Sequence, residues 1–463
     1  MRKVNLALII ASFAGSAMAA DITAVAGGGD WSNSSTWSGG TVPTSSDTVY
    51  FSQSGDTVTI DKSGLTVGMI SIGDGQTETL NLASGSKLTT SQGLSGVSMD
   101  SSILTITGSG QLTSSGGTID KLTINFDLEP GTSLGWSSVN ITNTNINVYS
   151  TMTGPRYNIM TNSTLTIKSG AEYTVSGGHL NGWGRNCSLI VESGGSVILT
   201  GNNGYNMETT ELSGSLYLPG YFNVATQKYS ARMVNATFNA GASVTQTNAS
   251  YDVIWGDETG KIKGNIVVNS GVNTGALSFA GKLYVQSNTT VELNSSDVIA
   301  TGGSSTQASS VLSICHTKTA NSVMSLSAST GGELIVNADQ NFGGIEFYTG
   351  SDLKLTIAEG ATLNVGGFYL MSGASGDVKI MLNEFGKDSL FINSMTQSEI
   401  EDIAFYDSTG TERLIAGEDF NIVAGEYNEL SGYWVANAIP EPAEWAAIFG
   451  ACALLFCVVR RRK

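Results

Sequence analysis

The chain has 463 residues, with only 13% charged, 57 glycines, 6 prolines, 4 cysteines, 2 histidines and a net charge of −17. That balance excludes a basic nucleic-acid binder, because phosphate contacts need Lys and Arg. It also leaves too few histidines for a histidine-rich metalloenzyme and too few cysteines for a disulfide-stapled miniprotein.

The first element reads as an export signal. Arg2 and Lys3 form a charged start, residues 4–14 an apolar core, and Ala17-Met18-Ala19 an A-x-A cleavage site ahead of Ala20. The apolar run is shorter than the ~20 residues that span a bilayer and ends in small residues, which argues against a permanent anchor. Residues 1–19 are thus expected to be removed by signal peptidase, which places the mature chain beyond the inner membrane.

Residues 20–61 read as an N-terminal cap and first coil. Gly29-Asp30-Trp31, Thr36-Trp37-Ser38-Gly39-Gly40, Val42-Pro43, Asp47-Thr48-Val49 and Phe51 together resemble the first repeat of autotransporter-like β-solenoids. A first coil has no neighbour above it, so Trp31 and Trp37 are expected to cover the open end of the core. The sharper alternative is that the two indoles clamp sugar rings. A true autotransporter would end in a membrane β-barrel of many alternating strands, whereas this sequence ends in an apolar helical segment.

Residues 62–383 repeat one phrase: apolar-x-apolar, two or so polar residues, glycine, then apolar-x-apolar again. Leu165-Thr-Ile167-Lys-Ser-Gly170-Ala-Glu-Tyr173-Thr-Val175 is one copy, Leu189 to Leu199 a second and Leu355 to Val365 a third, with looser copies at 80–88, 104–112, 238–244, 266–271 and 283–293. Period-two alternation makes each arm a strand with one buried face. Glycine lets the chain bend between arms. A sandwich would need several domains and linkers that the sequence lacks, and a propeller would show blades of ~40–50 residues with a signature dipeptide. The expected fold is all-β, a parallel β-helix (β-solenoid) with coils of roughly 20–30 residues. About 18 coils rising ~4.8 Å each would make a body ~85 Å long.

Secreted β-helices include polysaccharide lyases, so bases and acids within this body matter. The densest cluster is Arg156, His179, Trp183 and Arg185, with Tyr157 and Lys168 nearby; at one coil per 20–30 residues, Arg156, His179 and Arg185 could share a face. No Asp cluster accompanies them to hold a cation, so solvated turns or a glycan contact are preferred to catalysis. Cys315 and His316 are adjacent and would point to opposite faces of a strand, so they cannot act together as nucleophile and base. Cys187 and Cys315 lie ~5 coils apart, about 25 Å along a solenoid, too far for a disulfide. Eight Asn-x-Ser/Thr sequons, at Asn33, Asn140, Asn162, Asn186, Asn235, Asn248, Asn288 and Asn294, suit a chain rich in these residues. No phosphate-cradling, EF-hand or zinc spacing occurs, so no metal or cofactor is expected.

Residues 384–439 are acidic, with 11 Asp and Glu between positions 384 and 429 against Lys387 and Arg413. Thr396-Gln-Ser-Glu399 is a capping-box pattern expected to open a short helix through about Ile403. Strands are expected around Phe405, 414–415, 420–423 and 433–435, closing the last coil.

The tail, residues 440–463, has three parts in order. Pro440-Glu441-Pro442 is extended because the prolines bar helix; residues 443–459 are apolar apart from Glu444; and Arg460, Arg461, Arg462 and Lys463 follow. Seventeen residues at ~1.5 Å each make about 25 Å of helix, just short of a hydrocarbon core. The four cations hold that end in the cytoplasm and act as a stop-transfer signal. This arrangement resembles the PEP-CTERM sorting signal. The resemblance implies recognition by an exosortase-type membrane enzyme, cleavage near Pro-Glu-Pro, and a Gram-negative cell whose carriers of this signal often accompany exopolysaccharide. Without its two terminal signals the chain keeps 16 basic and 37 acidic residues, a net −21. That charge repels anionic polymers. The sequence therefore points to an exported, non-enzymatic structural or adhesin-like protein of the cell surface or matrix. The alternative is a secreted β-helical enzyme of the polysaccharide lyase kind.

Overall fold

The computed structural model describes residues 19–436 except 155–156, 177–179, 183–184, 201–203, 219–221, 225–226, 250, 258–261, 282, 287, 302–322, 328–331, 348–351, 371–378 and 385–387. The expected signal peptide up to Met18 and the expected C-terminal helix lie outside the described residues.

The repeated phrase folds as strand, turn, strand. Its first arm is Thr164–Ile167 and its second Glu172–Val175. Between them the Ala171 N–H donates to the Lys168 carbonyl at 3.0 Å, with Gly170 at φ 76°. Nothing lies within 4 Å of where a Cβ on Gly170 would stand, so the left-handed backbone and not lack of space requires the glycine.

One coil later the phrase returns directly on top of itself. Leu165 pairs with Leu189 and Ile167 with Val191, while Tyr173 pairs with Val197 and Val175 with Leu199, all in parallel. Three strands per turn, such as Thr164–Ile167, Glu172–Val175 and Leu180–Asn181, give the solenoid three faces. We number these the second, third and first face, since the first coil starts with Asp21–Thr23 on the first. The second face carries the longest ladder, from Gly29–Asp30 through Thr57–Ile60 to Ala404–Tyr406. Residues 20–61 stack in the same ladders as the coils that follow.

The protein is thus an all-β parallel solenoid of about 13 turns, not the ~18 expected from coil length. The expectation took every coil as regular. Successive partners on the second face lie as close as 19 residues apart, Asn147 to Thr166, and as far as 43, Glu292 to Ile335. The residues after 392 also build a closure and not further full turns. At ~4.8 Å per turn the stack is about 60 Å long.

Stacking lines the interior with continuous apolar rows. Leu104, Ile124, Ile146, Leu165 and Leu189 follow one another on five coils, each fully buried. Each such side chain contributes roughly 1.5–3 kcal/mol of transfer free energy. Backbone groups of the second-face strands pair with the coils above and below along the whole described ladder.

Both ends are closed by aromatic residues. At the start, Trp31 and Trp37 are 0% and 2% exposed, with ring centroids 4.8 Å apart and planes at 71°. Trp37 Nε1 donates to the Trp31 carbonyl at 2.8 Å. Their faces are buried and not free to stack on a sugar. At the other end Leu390–Ile392 pairs antiparallel with Leu430–Ala436, which pairs with Asn421–Tyr427. Asn428 and Glu429, at φ 49° and 67°, make the two-residue turn of this hairpin. Phe391, Tyr427 and Trp434 pack together over it, while Ile400, Phe405 and Phe420 cover the last coil.

The capping box forms as expected: Thr396 N–H donates to Glu399 Oε2 at 2.7 Å and Glu399 N–H to Thr396 Oγ1 at 3.3 Å. The helix, Gln397–Glu401, stops two residues earlier than expected. Residues 414–415 form no strand; isolated bridges Tyr406–Arg413 and Ala416–Phe420 flank them instead.

Candidate functional site

The residues marked out by sequence are largely terminal. Ala17, Pro440, Glu441, Pro442, Arg460, Arg461, Arg462 and Lys463 lie outside the described residues. Ala19 and Ala20 are exposed, and the coil engages the backbone from Ala20 onward. The Ala20 N–H donates to Asp47 Oδ1 at 2.9 Å, and the Ala20 carbonyl accepts from Thr48 at 2.9 Å. Burial works against the Asp47 charge, but hydrogen bonds from Thr44 and Ala20 outweigh it and hold the carboxyl below the ordinary range.

Of the candidate glycan cluster, Arg156, His179 and Trp183 lie outside the described residues, as do Cys315 and His316. Arg185 is an exposed turn residue whose carbonyl accepts from Asn162 N–H at 2.8 Å. Lys168 pairs with Glu192 of the next coil at 2.7 Å, and the Ser169 N–H reaches the same carboxylate at 3.2 Å. The Lys168 hydrogen bond holds the Glu192 carboxyl low, so this acid and base brace a corner. Cys187 is buried and free; burial raises its thiol pKa and suppresses thiolate chemistry.

Three of the sequon asparagines have a backbone task. Asn162, Asn186 and Asn288 sit at φ 47°, 54° and 59°, a region that asparagine tolerates better than most residues. They turn the chain into the second face, and Asn162 Nδ2 also bonds Asn143 Oδ1 of the preceding coil at 3.2 Å.

One site escaped the sequence reading: a pair of carboxyl groups inside the first coils. Asp56 and Glu78 are 2% and 0% exposed, and the Asp56 N–H donates to Glu78 Oε2 at 3.0 Å. Asp56 Oδ2 and Glu78 Oε1 have no hydrogen-bond partner. Burial, then the neighbouring Asp56 charge, push the Glu78 carboxyl up to about 7. The signal was legible, because alternation in Thr77–Leu82 puts Glu78 on the same side as Leu80 and Leu82.

The outward side of the second face is organised in rows. One runs Thr57, Thr79, Thr105, Asn125, Asn147, Thr166 on six successive coils. Its neighbour, two residues away along each strand, includes Thr123, Asn145, Thr164 and Ser188. Asn147 Nδ2 donates to Asn125 Oδ1 at 2.9 Å, and Asn125 Nδ2 to Thr105 Oγ1 at 3.4 Å. Further along, the same rows carry Glu211, Glu292, Glu333 and Lys354.

In that later stretch a groove of about 220 Å³ is lined by Lys263, Thr290, Glu333, Lys354 and Met381 among others. Glu333 is engaged there by Lys354 at 3.0 Å and by Thr290 Oγ1 at 3.2 Å. Among the described residues no three His, Cys, Asp or Glu converge as metal ligands, and no helix is long and apolar enough to cross a membrane. No protein family, curated protein or solved structure matches the chain.

Proposed function

We propose that this chain is an exported, non-enzymatic structural or adhesive protein of the cell surface or extracellular matrix. Its solenoid is the displayed body and its tail a sorting signal handled by an exosortase-type enzyme. The observation that carries this reading is the parallel second-face ladder running from Gly29–Asp30 to Ala404–Tyr406, closed at both ends by aromatic residues. Such a stack offers long, rigid, solvated faces. The docking of Ala20 onto Asp47 and Thr48 of the first coil fits a mature chain that starts at that residue.

In the tail, the apolar segment is a temporary anchor. It holds the body at the membrane until cleavage near Pro440-Glu441-Pro442, while Arg460, Arg461, Arg462 and Lys463 stop translocation, each costing several kcal/mol if drawn into hydrocarbon. Mass spectrometry of the mature protein tests this: the expected chain starts at Ala20 and lacks Lys463. A surface protein that keeps Lys463 would reduce the tail to a plain anchor. Incubation with uronic-acid polymers tests the non-enzymatic role. No rise in ultraviolet absorbance from unsaturated products is expected, and sustained turnover abolished by Arg156→Ala or His179→Ala would overturn it.

A further inference from the structure

We propose that the uncharged outer strip of the second face, from Thr57 to Ser188, binds a neutral, hydroxyl-rich polysaccharide lying along the solenoid axis. The proposal rests on the reading of the chain as a surface adhesive protein and names the surface and the chemistry that reading leaves open.

The first row holds only Thr and Asn over six coils. The second, Thr77, Ile103, Thr123, Asn145, Thr164 and Ser188, is broken by a single apolar residue. Neither row contains an ionisable group, and the exposed Asp127, two positions beyond Asn125 on the same strand, flanks the first row at one coil. Thr57 and Thr77 are exposed, Thr79, Thr105, Asn125 and Asn147 are half-buried and Thr166 at the end of the first row is buried, their inward neighbours filling the core.

Folding does not impose this neutrality. The same two rows accept Glu211, Glu292, Glu333 and Lys354 on later coils, and the strands there pair in the same parallel register. A strand places these positions outward whatever they are, so a charge-free strip six coils long is a property of the surface and not of the core.

The strip's chemistry selects its occupant. Each hydroxyl donates and accepts, and each amide offers two N–H groups and two lone pairs, so bonds along the rows leave capacity facing outward. A polyhydroxylated chain has the matching mixture. Nucleic acid needs cations that are absent from these rows, and acidic polymers are repelled by a chain of net charge −17. The centre of a protein–protein interface is rich in aromatic residues, Met and Arg and poor in Ser. These rows hold none of the former, which disfavours a second copy of the chain. Repetition from coil to coil lets many weak contacts to one polymer add up by effective concentration.

The test is co-sedimentation of the purified full-length protein with microcrystalline cellulose, insoluble chitin and starch granules, with alginate as the acidic control. Binding to at least one neutral polymer and not to alginate is expected. The double variant Thr105→Asp/Asn147→Asp should weaken it by about tenfold or more, because desolvated carboxylates would face a neutral ligand. Thr105→Ser/Asn147→Gln and the distal pair Glu292→Gln/Glu333→Gln should retain it, with unchanged far-ultraviolet circular dichroism throughout. No binding to any neutral polymer, or binding indifferent to the strip carboxylates, would overturn the proposal. So would self-association in sedimentation velocity that the strip carboxylates abolish, which would assign the strip to a second copy. Protease shaving of intact cells separates this from the display role. A wild-type chain that is surface-exposed but binds no neutral polymer removes the ligand and leaves the display reading standing.

Discussion

The two halves of the second face share their inner side and differ on their outer side. In both, alternate residues point inward as buried Leu, Ile, Val and Phe: Leu104, Ile124 and Ile146 early, Val291, Leu334 and Leu355 late. Outward, the two early rows from Thr57 to Ser188 are uncharged, whereas the same rows on late coils carry Glu211, Glu292, Glu333 and Lys354 among Thr, Asn, Val and Ile. The inner rows are held almost wholly to apolar side chains, Glu78 and Thr210 excepted, because they must pack at crystal-like density. The outer rows are not, so what they carry reports on solvent and partners.

The comparison breaks first if the two inner sides are unequal. Leu165→Ala in the early half and Leu355→Ala in the late half should each destabilise by about 2–5 kcal/mol in urea unfolding. A near-zero cost for one of them would mean that half is not a packed solenoid.

The early half contains the buried Asp56–Glu78 pair, and pH sharpens the contrast next. Unfolded, the Glu78 carboxyl gives up its proton near 4.5; folded, it keeps it up to about 7. The folded state therefore binds more protons in that window, and stability falls as pH rises from about 4.5 to about 7, then levels off. The loss should be roughly 3 kcal/mol, and Glu78→Gln should flatten the curve. A wild-type profile already flat across that window would show that the carboxyl is not held protonated.

Smaller effects belong to the outer rows. Asn125→Ala in the early half should cost about 1 kcal/mol, since it removes bonds to Thr105 and Asn147, independently of salt. In the late half Lys354→Ala should cost roughly 0.2–1 kcal/mol and less still in 1 M salt, because its partner Glu333 is half-exposed. Equal salt sensitivity at the two positions would erase the distinction between the halves.

Parts of both fold and site were legible beforehand. The copies at Leu165 and Leu189 stack in the register their spacing implies, because a solenoid converts a sequence offset directly into one coil. The Thr396 capping box was equally legible, being a local pattern whose two bonds span three residues. The outer Thr–Asn rows were not, since they align residues 19 to 26 positions apart over coils of unequal length. Glu78 was visible in the alternation of its strand, but its raised pKa depends on Asp56 from the coil before.

By itself, the sequence determined the repeated strand–turn–strand unit, the parallel stacking of those units and the glycines that turn them. Each of these follows from local backbone preference and period-two burial. Only the tertiary structure decided how many turns the chain makes, that an antiparallel hairpin closes the last one, and that Thr57, Thr79, Thr105, Asn125, Asn147 and Thr166 form one row. These depend on loop lengths and on which strand lies above which, and irregular loops carry no periodic signal from which a register can be counted.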